Sequence, residues 1–379
     1  MNFLRFFLLA MLFTRPLSAT EVPFYVGTLT NPAPSEGIYL GTLDTESGKL
    51  GPLKVAAKTK NPNFLALSRD RQFLYASISS PHGSAVEAYA RRPDGTLLLL
   101  NERPAGGDDC CHVSVDATGH SVFVANYGGG NVAGFVTKSN GSLNERTALI
   151  PFTGSGPNPS RQKKPYGHAI YPDPENKFVY ACDLGSDSVW IFRLDAEHGT
   201  LTPTHPPAAK LPPGAGPRHL AFHPNGKWVY VANELDMTVS VFQRNLLTGQ
   251  LTLIKSVSTL PEGASIEGVS VAEIEFHPSG KWLYVSNRGC DTIAVFAVAS
   301  DGSLTLIENV PSVVKFPRSF AIDPTGKWMI TAGQKDNRIA VLKINPETGK
   351  LTPTAQQAEV GVPVCILFVG GSNAFSEVN

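Results

Sequence analysis

Two charged residues sixteen positions apart frame the chemistry this chain can offer. In the stretch GPRHLAFHPNGKWVYVANELD, residues 216–236, Arg218 opens one apolar run and Glu234 follows the end of the next. HPNG between them is a turn sequence, and the second run is rich in aromatic and β-branched residues, so the stretch reads as a β-hairpin. In an antiparallel pair, the start of the first strand and the end of the second lie at the same end. A guanidinium and a carboxylate are thereby presented side by side.

The hairpin is one of a series: FLALSRDRQFLYASI, HVSVDATGHSVFVANY, HAIYPDPENKFVYACDL, RHLAFHPNGKWVYVANEL, AEIEFHPSGKWLYVSNRG and RSFAIDPTGKWMITAGQ. Phased on Tyr75, Phe123, Tyr180, Tyr230, Tyr284 and Ile330, the copies recur every 46 to 57 residues, with Tyr25 starting the series. Twelve positions before each phasing residue stand Asn63, Cys111, His168, Arg218, Ala272 and Arg318. Four positions after it stand Ser79, Tyr127, Leu184, Glu234, Arg288 and Gln334. Both rows belong at one end of the repeats. His168, Arg218, Glu234, Arg288 and Arg318 should therefore converge from four consecutive copies, with His219 and Lys335 beside them.

That set suits an anionic small molecule with an acyl or lactone centre. Arginines clamp carboxylate or phosphate, an imidazole near neutrality can activate water, and a carboxylate can carry a proton. An arginine can also stabilise a developing oxyanion. The bland alternative is a structural ion-pair network, which perturbs ionisable groups equally well. Other conspicuous residues read as structural. His223 and His277 repeat within the HP-x-G-K turn, Trp228, Trp282 and Trp328 share one packing position, and Asn126, Asn233 and Asn287 suit the holding of a turn. RQKK at residues 161–164 reads as a solvated basic loop that would at most steer an anion. The glycines Gly128, Gly129 and Gly130 form a hairpin loop with no helix behind them, not a phosphate cradle.

A second signature identifies the framework. SGKL, DGTL, NGSL, HGTL, TGQL, DGSL and TGKL place Gly48, Gly95, Gly141, Gly199, Gly249, Gly302 and Gly349 in tight turns ahead of an outer strand. Seven copies, each with four short strands and no helical period, predict an all-β, seven-bladed β-propeller of four-stranded antiparallel blades. The first blade lacks an inner strand, and PVCILFV at residues 363–369 has no blade of its own. This C-terminal strand should complete the first blade and close the ring.

Formal net charge is zero, which gives no electrostatic footprint for nucleic acid. With 17% charged residues, 35 Gly and 30 Pro, the composition is that of a turn-rich folded protein. The five cysteines, Cys110, Cys111, Cys182, Cys290 and Cys365, follow neither disulfide nor zinc spacing, and for the adjacent Cys110 and Cys111 buried thiols are expected over a strained bond. Residues 1–19 have the pattern of a cleaved export signal: Arg5, a short apolar stretch too brief to span a bilayer, then Pro16 and small residues. The expected organisation is signal peptide 1–19, propeller 20–370 and a loose tail 371–379. The mature chain is expected to be periplasmic or secreted and monomeric, with no membrane span and no cofactor.

GPRH followed by NEL, with SNRG and PRSFAIDPTGKW downstream, resembles the seven-bladed β-propeller lactonases of the bacterial 6-phosphogluconolactonase type, related to the fungal carboxy-cis,cis-muconate cyclase. The resemblance runs from FYVGT to VCILFV. It implies lactone hydrolysis, an activity of carbohydrate metabolism, at a metal-independent site of one His, one Glu and two Arg. These fall on His168, Glu234, Arg218 and Arg288 as catalytic residues, with Arg318, His219, Gln334, Lys335 and Tyr166 binding substrate. Where relatives carry a second histidine before His168, this chain has KPYGHA, with Tyr166 and Gly167. An export segment also points to a sugar-derived or anionic lactone outside the cytoplasm. The alternatives are an exported, non-catalytic propeller that binds a protein or glycan, or muconate cycloisomerisation.

Overall fold

The computed structural model describes residues 20–31, 34–80 and 83–370. The expected signal segment and C-terminal tail lie outside the described residues. Seven four-stranded antiparallel sheets are present, and consecutive inner strands contact one another around a closed ring. Blade 1 takes its inner strand, Pro363–Phe368, from the end of the chain, where it pairs with Glu21–Thr28. Among the described residues, no helix is long and apolar enough to cross a membrane.

Adjacent blades are joined by a repeated device. The phasing tyrosine of one blade is buried and donates its hydroxyl to the carbonyl of the turn glycine of the next. Tyr25 bonds Gly95, Tyr75 Gly141, Tyr180 Gly249, Tyr230 Gly302 and Tyr284 Gly349, at 2.7 to 3.0 Å. Blade 3 has Phe123 at this position, and Thr147 supplies the bond to the Gly199 carbonyl instead, at 2.7 Å. The tryptophans pack here as expected. A Cβ on Gly302 would stand 2.4 Å from the Trp228 ring, and its φ of +81° already requires glycine.

The inner strands carry the feature that builds the site. In blade 5 the inner strand Pro217–Phe222 pairs Pro217 with Asn233 and His219 with Ala232, so Arg218 is the extra residue of a β-bulge. The same interruption occurs at Asn63, Cys111, His168 and Arg318. A bulge re-aims the extra side chain and breaks the alternation of faces. Here it lets two successive residues of one strand look into the ring: the bulged one at the mouth, the next one deeper along the axis.

Candidate functional site

The mouth of the ring holds a cavity of about 300 Å³ lined by Asp109, Cys111, Tyr127, Arg161, His168, Glu234, Ser270, Arg288, Phe316 and Arg318. At its wall, Glu234 meets three guanidiniums. Arg161 Nη2 donates to Oε1 at 2.5 Å, while Arg288 Nη2 and Arg218 Nε stand 3.0 and 3.3 Å from Oε2. The Arg218 contact is an ion pair without hydrogen-bond geometry. Arg218 and Arg288 are further held by the Ala272 and Val271 carbonyls, at 2.8 and 2.9 Å. Arg318 makes no hydrogen bond or ion pair among the described residues, so one guanidinium faces the cavity without a partner.

Burial alone would push the Glu234 carboxyl up, but the charges of Arg288, Arg218 and Arg161 overcome it and hold it at about 2. It is therefore ionised at any physiological pH. His168 moves the other way from its ordinary value: burial, then Arg218, His219, Arg318 and Arg288, drive it well below, and it is a neutral imidazole. Its Nδ1 is buried and has no hydrogen-bond partner. Burial pushes the Cys111 thiol up to about 12, and the thiol lies 3.1 Å from the His168 carbonyl, so it is no thiolate nucleophile. With the guanidiniums of Arg161, Arg288 and Arg318 in the wall and Arg218 behind Glu234, against the carboxylates of Glu234 and Asp109, the cavity is cationic.

One level deeper, the residues that follow the bulges fill the axis. The His219 ring lies 5.2 Å from His168, 5.4 Å from His112 and 5.6 Å from Phe64, centre to centre, so it reaches across the ring. His219 Nδ1 is 2.8 Å from Glu273 Oε1, and its Nε2 is 3.3 Å from Arg218 Nη1. Below this layer a second cavity of about 520 Å³ opens on the other face, lined by Glu273, Glu275, Arg71, His277, Tyr171 and Ser319 among mostly apolar residues. A cleft of about 650 Å³ between blades 2 and 3 shares no residue with the arginine cavity and carries no comparable convergence of groups.

His168, Arg218, Glu234, Arg288 and Arg318 thus meet at one mouth, as the repeat register requires. His219 lies behind Arg218 on the axis and is absent from the cavity wall. Tyr166 stands behind Tyr127, ring centres 4.9 Å apart, and Lys335 lies 4.0 Å above the Phe316 ring. Gln334 donates its backbone N–H to the Phe316 carbonyl at 3.2 Å. Tyr166, Gln334 and Lys335 therefore support wall residues without lining the wall.

The basic loop departs from its reading as a solvated segment. Gln162 is fully buried and donates to Asp187 Oδ1 and the Leu184 carbonyl, at 2.7 and 2.9 Å. That anchor pins the loop and delivers Arg161 to Glu234 and, at 3.2 Å, to the Tyr127 hydroxyl. Arg161, Tyr127, Cys111, Asp109, Ser270 and Phe316 are the wall residues not singled out above. All five cysteines are free thiols. No group of three His, Cys, Asp or Glu side chains among the described residues is arranged to hold a metal ion.

A family model described as "Lactonase, 7-bladed beta-propeller" matches residues 23–368. The chain is 36% identical over 347 residues to a 6-phosphogluconolactonase of Bacillus subtilis, covering 91% of this chain and 97% of that one. It is 33% identical to a 6-phosphogluconolactonase of Formosa agariphila, covering 89% and 96%. Among solved structures, the periplasmic gluconolactonase of Pseudomonas aeruginosa superposes with a TM-score of 0.86 at 29% identity, covering 92% and 99%.

Proposed function

The chain belongs to the seven-bladed β-propeller lactonase family, and from that premise we propose that it hydrolyses a sugar-derived or anionic lactone in the arginine-lined mouth. The observation that carries this reading is the convergence of His168, Glu234, Arg161, Arg288 and Arg318 on one cavity, with Arg218 paired to Glu234 from behind its wall. An unpartnered guanidinium, Arg318, is suited to anchor an anionic substituent, and those of Arg161 and Arg288 to face the oxygen that becomes negative as water adds to the carbonyl.

His168 is the water-activating base. It takes a proton from water as the oxygen adds to the carbonyl carbon. The proton is then returned to the ring oxygen as the acyl–oxygen bond breaks, leaving a hydroxy acid. Glu234, held at about 2, is too weak a base for that step and instead keeps Arg161, Arg218 and Arg288 in fixed array. A substrate anion among the guanidiniums would screen the charges that depress His168, raising its basicity when substrate is present.

The name of the Pseudomonas neighbour and the export-like residues 1–19 together favour a lactone met outside the cytoplasm, and the cationic wall favours one that carries an anionic group. The test is a pH-stat assay on gluconolactone, 6-phosphogluconolactone and muconolactone, corrected for spontaneous hydrolysis. His168→Ala should lower kcat by about 10²-fold or more, the usual scale for a general base. The acid limb of kcat/KM for the wild type should fall below pH 6.5, because a neutral imidazole with a depressed pKa stays unprotonated there. Wild-type rates for His168→Ala across the panel would rule the assignment out.

A further inference from the structure

Arg218 is 2% exposed and carries a permanent charge, so whatever holds its guanidinium decides where that charge points. Glu234 sits on one side. On the other, Nη1 donates to the Ala272 carbonyl at 2.8 Å and lies 3.3 Å from His219 Nε2, while His219 Nδ1 lies 2.8 Å from Glu273 Oε1. Glu273 Oε1 also accepts the Ile274 N–H at 3.2 Å.

The direction of each bond in this chain follows from chemistry. A guanidinium can only donate. His219 Nε2 must then accept, so its single proton is on Nδ1, and Nδ1 must donate to Glu273. Burial pushes the Glu273 carboxyl up, with the Arg218 charge opposing it. It pushes His219 down, with Arg218 adding to it, so the imidazole is neutral and carries one ring proton. Arg218, as the donor at Nε2, puts that proton on Nδ1, facing Glu273. The neighbouring His112 takes the opposite form: its Nδ1 accepts the Ile170 N–H at 3.4 Å, which leaves its proton on Nε2.

We propose that Glu273, acting through the Nδ1–H tautomer of His219, is a positioning residue that holds the Arg218 guanidinium against Glu234, itself part of the wall of the substrate cavity. Neither residue of the pair lines the cavity. The pair locks one imidazole nitrogen as an acceptor behind Arg218, as a carboxylate behind a metal-bound histidine fixes its tautomer. The effect on catalysis rests on the hydrolase reading; the hydrogen-bond chain does not.

Two measurements test it. Nitrogen-15 NMR of the full-length wild-type protein, with the His219 signal assigned by its loss in His219→Gln, should show a neutral ring protonated at Nδ1. Protonation at Nε2 would overturn the proposal whatever the activity. In steady-state assays Glu273→Met, which has no acceptor, should lower kcat/KM by about 10- to 100-fold, the scale seen for supporting residues of this kind. Glu273→Gln, which keeps a carbonyl acceptor, should retain most of the rate. In a His219→Gln background, where a carboxamide oxygen can accept from Arg218 unaided, Glu273→Met should add nothing further. An equal cost in both backgrounds would make Glu273 merely structural and the proposal wrong. If no lactone is turned over, the hydrolase reading fails, and the NMR result alone still decides the tautomer.

Discussion

The mouth of the ring and its outer seams are built from the same repeat, yet they use it in opposite ways. At the seams one solution recurs: a buried tyrosine bonds the carbonyl of the next blade's turn glycine in five blades, and Thr147 covers for Phe123 in a sixth pairing. At the mouth, the bulged position of the inner strand holds Asn63, Cys111, His168, Arg218 and Arg318, no two neighbouring blades alike. Every blade must meet the next, so the seam repeats. The ring has only one axis, so a site there is assembled once from unlike parts. Substitutions at the two places should therefore separate: seam changes cost stability and spare chemistry, whereas mouth changes alter chemistry with stability effects that depend on charge pairing.

The largest effect should come from Glu234→Gln. Among the described residues it removes the only carboxylate paired with Arg161, Arg218 and Arg288, the last two 2% and 5% exposed. Leaving buried charges unpaired costs about 3–5 kcal/mol, so urea unfolding at pH 7 should show a loss of that order together with loss of hydrolysis. The sign with pH is fixed. The folded-state pKa, about 2, is below the ordinary value, so this stabilisation is complete above the ordinary carboxylate range. It is lost as pH falls towards 2, and the gap between wild type and variant should narrow over that interval. A variant as stable as wild type at pH 7 would mean the three arginines do not depend on Glu234.

Arg318→Met should show the converse at the same mouth. Arg318 has no ion pair to lose, and its burial is a cost, so stability should hold or rise slightly. On an anionic lactone, kcat/KM should drop at least about tenfold, roughly 1.4 kcal/mol, mainly through KM, with a smaller change on a neutral lactone. Equal losses on both substrates would remove Arg318 as the anion anchor.

How far these positions could be read without coordinates follows from the same contrast. The seam and the number of blades were legible because they repeat, and ring closure followed from one unassigned strand. The mouth was legible through the register, which placed His168, Arg218, Glu234, Arg288 and Arg318 at one end. Arg161 was not, because it sits in a connection between blades that has no counterpart elsewhere and is delivered by the buried Gln162. The axial layer of His112, His219 and Glu273 was obscured for another reason. Simple alternation puts neighbours on opposite faces, and only the bulge turns His219 inwards beside Arg218. His219, Tyr166, Gln334 and Lys335 fell one shell behind the wall because sequence distance from a register position says nothing about depth.

The smallest effect sharpens the seam side of the comparison. Tyr230→Phe keeps the buried ring between blades 5 and 6 and deletes only the hydroxyl that bonds the Gly302 carbonyl at 2.8 Å. The expected loss is about 1 kcal/mol in chemical denaturation, the net value of one such bond, with kcat and KM unchanged. Blade 3 supplies the internal control. It already has Phe123 here, and its seam is completed by Thr147, so Phe123→Tyr should bring no comparable gain because the Gly199 carbonyl is already bonded. If Tyr230→Phe slowed hydrolysis while leaving stability intact, the division between a repeating frame and a singular site would be wrong at the seam between blades 5 and 6.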